Sequence, residues 1–172
     1  MKDALALRKG VDEMEAIPMK ESRTIQTKLV LPPDTNHMDS IFGGKVLAYI
    51  DEIAAITAMK HARQQVVVTA SIDSVDFLSS ARVGDVLELE ANVTSTGRTS
   101  MEVYVRVKSK NLQTGEEKLT TESFLTMVAM GEDGKPTPVP PVLPESEGEK
   151  MFFATAPARK EYRKNRVKAP KV

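Results

Sequence analysis

Ile41-Phe42-Gly43-Gly44-Lys45-Val46-Leu47-Ala48-Tyr49-Ile50-Asp51-Glu52-Ile53-Ala54-Ala55-Ile56-Thr57-Ala58-Met59-Lys60-His61 is the stretch that decides the fold. A glycine pair opens it, no proline or later glycine interrupts it for about five helical turns, and apolar side chains fall on nearly every side. A helix that is apolar all round is a buried one, so the rest of the chain is expected to wrap around it. Asp51 stands out within it. Its neighbours one turn away are Leu47, Ala48, Ala54 and Ala55, none of which offers a charge partner. Such a carboxylate is either a core group held by donors from elsewhere in the chain or a general base, and helical spacing leaves both open.

Upstream lies a polar loop, Leu31-Pro32-Pro33-Asp34-Thr35-Asn36-His37-Met38-Asp39-Ser40. It delivers the chain to Gly43 and Gly44, where missing side chains let a ligand approach backbone amides that have no helical acceptor. Those amides sit at the positive end of the helix dipole and could hold a carbonyl oxygen as it becomes an oxyanion. The glycines could equally serve close packing of the helix on a sheet. Before the loop, Arg23 to Leu31 alternates polar and apolar residues and stops at Pro32-Pro33, as a half-buried strand does.

Downstream, Val66 to Phe77 is rich in β-branched residues, and its apolar phase slips near Asp73 and Ser74, which predicts a bulge. Val86 to Thr94 and Met101 to Val107 alternate on either side of a turn at Gly97, predicting an antiparallel hairpin. A second turn at Gln113-Thr114-Gly115-Glu116 leads into a long strand from Lys118 to Met130. Strand, long helix and four consecutive strands read as α+β, one antiparallel sheet curled around one helix. A sheet of that kind leaves its helix partly uncovered and its edges unpaired, so a dimer is expected. Five prolines between Gly131 and Gly148 predict loop. Glu149 to Lys168 reads as a helix with a start or kink at Pro157, its later half basic, and such a run is ordinarily a solvated face, the sharper alternative being a phosphate contact. Residues 1–20 are expected to be frayed helix or disorder.

Composition sets the outer limits. The 172 residues carry 24 basic and 24 acidic side chains, so no global charge argues for nucleic acid or membrane partners. With 41% hydrophobic residues the chain can bury a real core. Cysteine is absent, which removes disulfides and thiolate chemistry, and two histidines, His37 and His61, are too few for a histidine-based metal site. No apolar run reaches spanning length and no convincing signal peptide is present, so a cytoplasmic protein is expected.

Several separated segments carry a resemblance. Pro33-Asp34-Thr35-Asn36, Ile41-Phe42-Gly43-Gly44, Tyr49-Ile50-Asp51-Glu52, Thr69-Ala70-Ser71-Ile72-Asp73 and Arg98-Thr99-Ser100-Met101-Glu102-Val103 together resemble the acyl-coenzyme A thioesterases of the hotdog fold. The likeness runs from about Arg23 to about Arg163. It implies a hotdog domain at 21–130 in the order β-α-β-β-β-β, after an N-terminal extension at 1–20. A proline-rich loop at 131–148 and a C-terminal helix with a basic tail at 149–172 would follow. It also implies a homodimer unit, assembled as a trimer of dimers, with active sites between paired copies.

The resemblance further implies the chemistry. Asp51 would be the base that directs water at the thioester carbonyl, with Gly43 and Gly44 amides as oxyanion donors. The family's second functional position, often Asp or Asn, falls on Ser40, with Asp39 one residue earlier. Ser40 can orient a water but cannot act as the base, and Asn36 would assist. Arg98, Thr99 and Ser100 would contact coenzyme A, which belongs to substrate and product, so no separate cofactor is expected. The alternative is an acyl-coenzyme A sensor that uses the same pocket without chemistry. A hydratase on this fold would want a histidine paired with a carboxylate, whereas His37 sits in the loop and His61 at the helix end, where a positive charge suits the dipole.

Overall fold

The computed structural model describes residues 14–64 and 66–166. Its elements are β1 (Ile17–Pro18), α1 (Met19–Ser22), β2 (Thr24–Leu29), α2 (Gly43–Ala62), β3 (Val67–Phe77), β4 (Val86–Thr96), β5 (Ser100–Lys110), β6 (Glu117–Ala129), β7 (Val142–Leu143) and α3 (Glu147–Asn165). Five strands form one antiparallel sheet in the order β2-β4-β5-β6-β3, which leaves β2 and β3 as its edges. The sheet curls around α2.

The core lies between the helix and the concave face of the sheet. Val46, Ile50, Ile53, Ala54, Thr57 and Ala58 of α2 meet Leu87, Leu89, Val103, Val105, Leu125 and Met127 from the central strands, all buried. These helix positions recur at intervals of three and four, so one face is inside. Ala48, Glu52 and Lys60 lie on the other side and are exposed, so within one chain the helix is not buried all round but partly uncovered, as expected of one sheet on one helix. Five strands curl around only part of a helix about 10 Å across, and the remainder stays uncovered in a single chain.

The phase slip in β3 proves to be two bulges. Thr69 faces Met127 while Ser71 faces Thr126, and Ile72 faces Leu125 while Ser74 faces Phe124, so Ala70 and Asp73 are each one residue extra. Each bulge shifts the inside-outside alternation by one, and two of them restore it before Val75 and Phe77.

The convex face is covered as well. Ser146 and Glu149 start α3 with a reciprocal cap, in which Ser146 Oγ accepts from the Glu149 amide at 3.3 Å and the Glu149 carboxylate accepts from the Ser146 amide at 2.9 Å. The helix then runs through Pro157 without restarting there. An internal proline costs a helix about 3 kcal/mol, and docking offsets it: Phe152 stacks on Tyr104 with ring centroids 4.6 Å apart.

The basic run is solvated only in part, since Lys160, Lys164 and Arg166 are exposed while two arginines turn to the sheet. Arg159 pairs with Glu102 at 2.8 Å, and Arg163 pairs with Asp73 at 2.9 Å. Lys168, the last basic residue of the run, lies outside the described residues.

Two segments expected to be irregular are ordered against the core. Ile17–Pro18 and Val142–Leu143 form a short parallel ladder, and Ile17, Met19, Val139 and Val142 are buried. Prolines lack amide donors but keep their carbonyls, and here those carbonyls are used. Pro141 O accepts from the Ile17 amide at 2.8 Å, and Pro140 O accepts from His61 Nε2 at 3.0 Å. His61 is therefore a buried strut, and burial lowers its pKa below the ordinary value of 6.5. A neutral imidazole replaces the dipole-seeking cation expected at this helix end.

Candidate active site

Asp51 and Glu52 are adjacent on α2 but face different edges of the sheet. Glu52 is occupied by β2, its Oε1 accepting from Gln26 Nε2 and Lys28 Nζ, each at 3.3 Å. Asp51 faces β3, where the Thr69 hydroxyl donates to its Oδ1 at 2.6 Å. No cation is bonded to it among the described residues, and the carboxylate is partly exposed in the single chain. Thr69 pairs in regular register with the buried Met127 just ahead of the bulge at Ala70, so its hydroxyl turns toward the helix although the residue is exposed in the single chain. Thr69 heads one of the segments that carry the family resemblance, but nothing in the sequence pairs it with Asp51.

The loop before α2 is built around Asn36. Its side-chain carbonyl accepts from the Met38 amide at 2.9 Å, the Ser40 amide at 3.4 Å and the Ser40 hydroxyl at 3.2 Å. With its oxygen so held, the amide nitrogen of Asn36 remains available as a donor. Asp39 takes a left-handed conformation, φ 55°, which turns the chain so that Ser40 reaches back to Asn36. The Ser40 hydroxyl is thus committed to orienting Asn36. The loop is lashed down by the Ile41 amide on Ala81 O and the Phe42 amide on Asp34 O, both at 2.9 Å.

At the start of α2 the Lys45 and Val46 amides both bond Phe42 O, at 2.8 and 3.2 Å, while Gly43 and Gly44 find no acceptor among the described residues. Aromatic rings lie beside both positions, crowding Gly44 and in ordinary contact distance of Gly43. A Cβ on Gly44 would stand 2.8 Å from the Phe42 ring, and one on Gly43 would stand 3.4 Å from the Phe77 ring. Beside them opens an apolar cleft of about 380 Å³ lined by Ile41, Gly43, Val46, Phe77 and Leu78. Phe77 and Leu78 on its wall are more than half exposed, as are Met38 and Phe42 in the chain leading to the helix.

Within one chain these groups do not converge. Asp51 follows Gly43 by eight residues, which is about 12 Å along a helix, beyond the reach of one bridging water. On β3 they also lie apart, with Phe77 beside Gly43 at one end and Thr69 beside Asp51 near the other.

The Gly97 turn shares the Thr69 end of the sheet. Met101, Met127 and Thr69 are successive ladder partners across β5, β6 and β3, about 10 Å from first to last. Backbone bonds hold the turn: Arg98 O accepts from the Val139 amide at 3.0 Å and Thr99 O from the Ala129 amide at 3.1 Å. The Arg98 side chain is exposed and unpaired among the described residues. A cleft of about 270 Å³ lies alongside, with Thr96, Ser100, Lys160 and Arg163 on its walls.

The comparisons with known proteins bear on this arrangement. The sequence profile of the thioesterase superfamily matches residues 38–116. An uncharacterized acyl-CoA thioester hydrolase of Bacillus subtilis is 50% identical over 147 residues, covering 86% of this chain and 85% of that one. The chain belongs to the thioesterase superfamily.

Among solved members with the same hotdog fold, an apo-hexameric acyl-CoA thioesterase superposes with a TM-score of 0.86 at 73% identity, over 88% of this chain and 96% of its own. The acyl-CoA hydrolase of Staphylococcus aureus, solved with butyryl coenzyme A, coenzyme A and coenzyme A disulfide, superposes with a TM-score of 0.82. It is 49% identical over 87% of this chain and 91% of its own. Variants of that hydrolase with alanine in place of an asparagine, an aspartate and a threonine have also been solved. Some thioesterase relatives are much longer: the chain spans 35% of the cytosolic acyl coenzyme A thioester hydrolase of Rattus norvegicus.

Proposed function

We propose that this thioesterase hydrolyses acyl-coenzyme A to a free fatty acid and coenzyme A at a site assembled from two copies of the chain. The observation that carries this reading is the separation just described. A proton acceptor held by Thr69 and a pair of free helix amides lie at opposite ends of one edge strand, β3, whose outer side has no partner strand among the described residues. If β3 pairs antiparallel with β3 of a second copy about a two-fold axis, the Thr69 end of one strand lies beside the Phe77 end of the other. That brings Asp51 of one copy toward Asn36, Gly43 and Gly44 of its partner, and the same pairing covers the exposed apolar side chains around the cleft. Two such sites form per pair, and three pairs would give a hexamer like that of the similar apo thioesterase.

In such a site the thioester carbonyl accepts hydrogen bonds from the Gly43 and Gly44 amides, which stabilise the oxyanion. Asn36, fixed through its oxygen by Ser40, donates its amide to carbonyl or water. Asp51 takes a proton from water as the water oxygen attacks the carbonyl carbon. The tetrahedral intermediate then expels the thiolate, which leaves as thiol with the proton that Asp51 had taken. Arg98 suits a phosphate of the coenzyme through paired charge-assisted hydrogen bonds, with Thr99 and Ser100 beside it. Attack by Asp51 itself through a mixed anhydride uses the same groups. Single turnover in oxygen-labelled water detects an anhydride whose water attacks the aspartyl carbonyl, since only that step places label in the aspartate.

The Staphylococcus hydrolase supports the assignment. The substituted asparagine precedes the substituted aspartate there by the same interval that separates Asn36 from Asp51. The substituted threonine follows by one residue fewer than Thr69 does here. The test is thiol release from acetyl- to palmitoyl-coenzyme A by the wild type and Asp51→Asn. General base help is worth about a hundred- to ten-thousandfold, so the variant should lose that much turnover and keep its assembly state. Near-wild-type turnover would remove Asp51 from the mechanism, and binding without thiol release by the wild type would favour the sensor.

A further inference from the structure

The arginines of α3 find a use in how β3 is held. Arg159, Arg163 and Arg166 recur at helical spacing along one face and point at the convex side of the sheet, and two of them reach the bulged stretch of β3. Arg163 Nη1 donates to Asp73 Oδ2 at 2.9 Å and also bonds the Thr126 hydroxyl, which itself donates to Asp73 Oδ2 at 2.7 Å. Arg166 Nη2 donates to Ser71 Oγ at 3.3 Å. Asp73 is the extra residue of the second bulge, and Ser71 follows the first. These arginines therefore grip the strand where its regular pairing with β6 is interrupted.

The grip matters because of what β3 carries. It is an edge strand, paired within the chain to β6 alone, and Thr69 lies just before the first bulge with its hydroxyl on Asp51. A bulge re-aims neighbouring side chains, and an unsupported bulge at an edge can slip its register. We propose that Arg163 is a positioning residue for the reaction. By fixing Asp73 from outside the sheet, it holds the bulged segment that follows Thr69, and so keeps the register in which Thr69, and through it Asp51, meets the substrate. The inference rests on the reading of Asp51 as proton acceptor. Arg163 touches neither Asp51 nor Thr69, so its effect must pass through the strand.

A kinetic double-mutant cycle tests this, with Arg163→Ala measured in the wild-type and Thr69→Ala backgrounds and Lys164→Ala as a control for lost charge on the same helix. Small misplacements of reacting groups cost up to about a hundredfold in rate. Arg163→Ala is expected to lower kcat about tenfold, with KM within about twofold, and to cost less than about twofold once Thr69 is alanine. Arg163→Lys, which keeps a donor toward Asp73, should recover part of the loss, and Lys164→Ala should change nothing. If Arg163→Ala does not fold, Asp73→Asn weakens the same grip and should show the same coupling to Thr69. Equal losses in both backgrounds would overturn the proposal, as would a rise in KM at unchanged kcat, which would make Arg163 a substrate contact. If Asp51→Asn retains turnover, the reading beneath falls and this inference with it. If that variant is inactive and the cycle is additive, only the inference falls.

Discussion

Replacing Arg159 by methionine tests how much of this fold depends on α3. Glu102 lies on the convex face with its side chain 6% exposed, and Arg159, 24% exposed, supplies two of its hydrogen bonds, at 2.8 and 3.1 Å. The Thr94 hydroxyl supplies a third at 2.7 Å. The guanidinium also lies 4.4 Å above the Phe124 ring and donates to Phe152 O at 2.7 Å. Removing one member of a buried pair costs about 3–5 kcal/mol, because the partner charge stays buried. Solvent reaches the arginine, so its electrostatic share is discounted and about 2–3 kcal/mol is expected.

Glu102→Gln keeps the shape and the acceptor for Thr94, and should cost about 1–2 kcal/mol. The double variant removes both charges and should fall short of the summed losses by more than about 1 kcal/mol. Urea unfolding gives these numbers at one fixed protein concentration, since subunit association adds to apparent stability. A loss below about 0.5 kcal/mol for Arg159→Met, or strict additivity in the double variant, would refute the view that this pair fastens α3 to the sheet.

Three further outcomes follow from the geometry. Thr69→Ala removes the one hydroxyl bonded to Asp51 and should lower kcat about tenfold, with Thr69→Ser close to wild type; equal activity of all three would separate Thr69 from the chemistry. Burial disfavours the Glu90 carboxylate, but Arg23 at 2.7 Å and Arg106 at 2.5 Å outweigh it and hold its pKa below the ordinary 4.5. The unfolded chain then binds the proton first, so this stabilisation is complete above pH 4.5 and fades as pH falls through the lower folded value. Glu90→Gln should flatten that acid limb of the stability curve. His61 behaves alike for a different reason: burial lowers its pKa, so the unfolded state takes up a proton as pH drops below 6.5 while the folded state does not. Stability should decline from there toward pH 5, and His61→Gln, which can still donate to Pro140 O, should remove that slope in melting temperature.

The order of elements was legible because local patterns specify it: period-two alternation in the strands, an unbroken helical run, and turn residues at Gly97 and Gly115. What escaped was the convex face. Glu102, Tyr104 and Thr126 occupy positions that alternation assigns to solvent, and nothing local says that a helix beginning near residue 147 will cover them. The clue was the spacing of Arg159, Arg163 and Arg166 on one helix face. A basic run reads as solvated until acidic partners are known, and those partners, Glu102 and Asp73, lie 57 and 90 residues away in the chain. The proline-rich segment misled for a related reason. Proline forbids donation to a ladder but leaves its carbonyl free, and both Ile17 and His61 use those carbonyls.

For the site, residue types were readable and the family resemblance implied a site between paired copies, but which strand would join the copies was not readable. Asp51 and the Gly43-Gly44 pair are eight residues apart on one helix, a spacing that invites the assumption of one shared pocket. Helix rise alone rejects it: about 12 Å is too far for one water to span. Topology supplies the remedy, because β3 is an edge with its two ends beside the two halves of the site. In the proposed pair, an antiparallel partner strand would exchange those ends and complete both halves at once. A substitution that blocks β3 pairing, such as Val68→Pro at an exposed position, should therefore abolish turnover together with dimerisation, even though Asp51, Asn36 and both glycines remain unchanged. A fully active monomer, detected by sedimentation under assay conditions, would show that one chain completes the site alone.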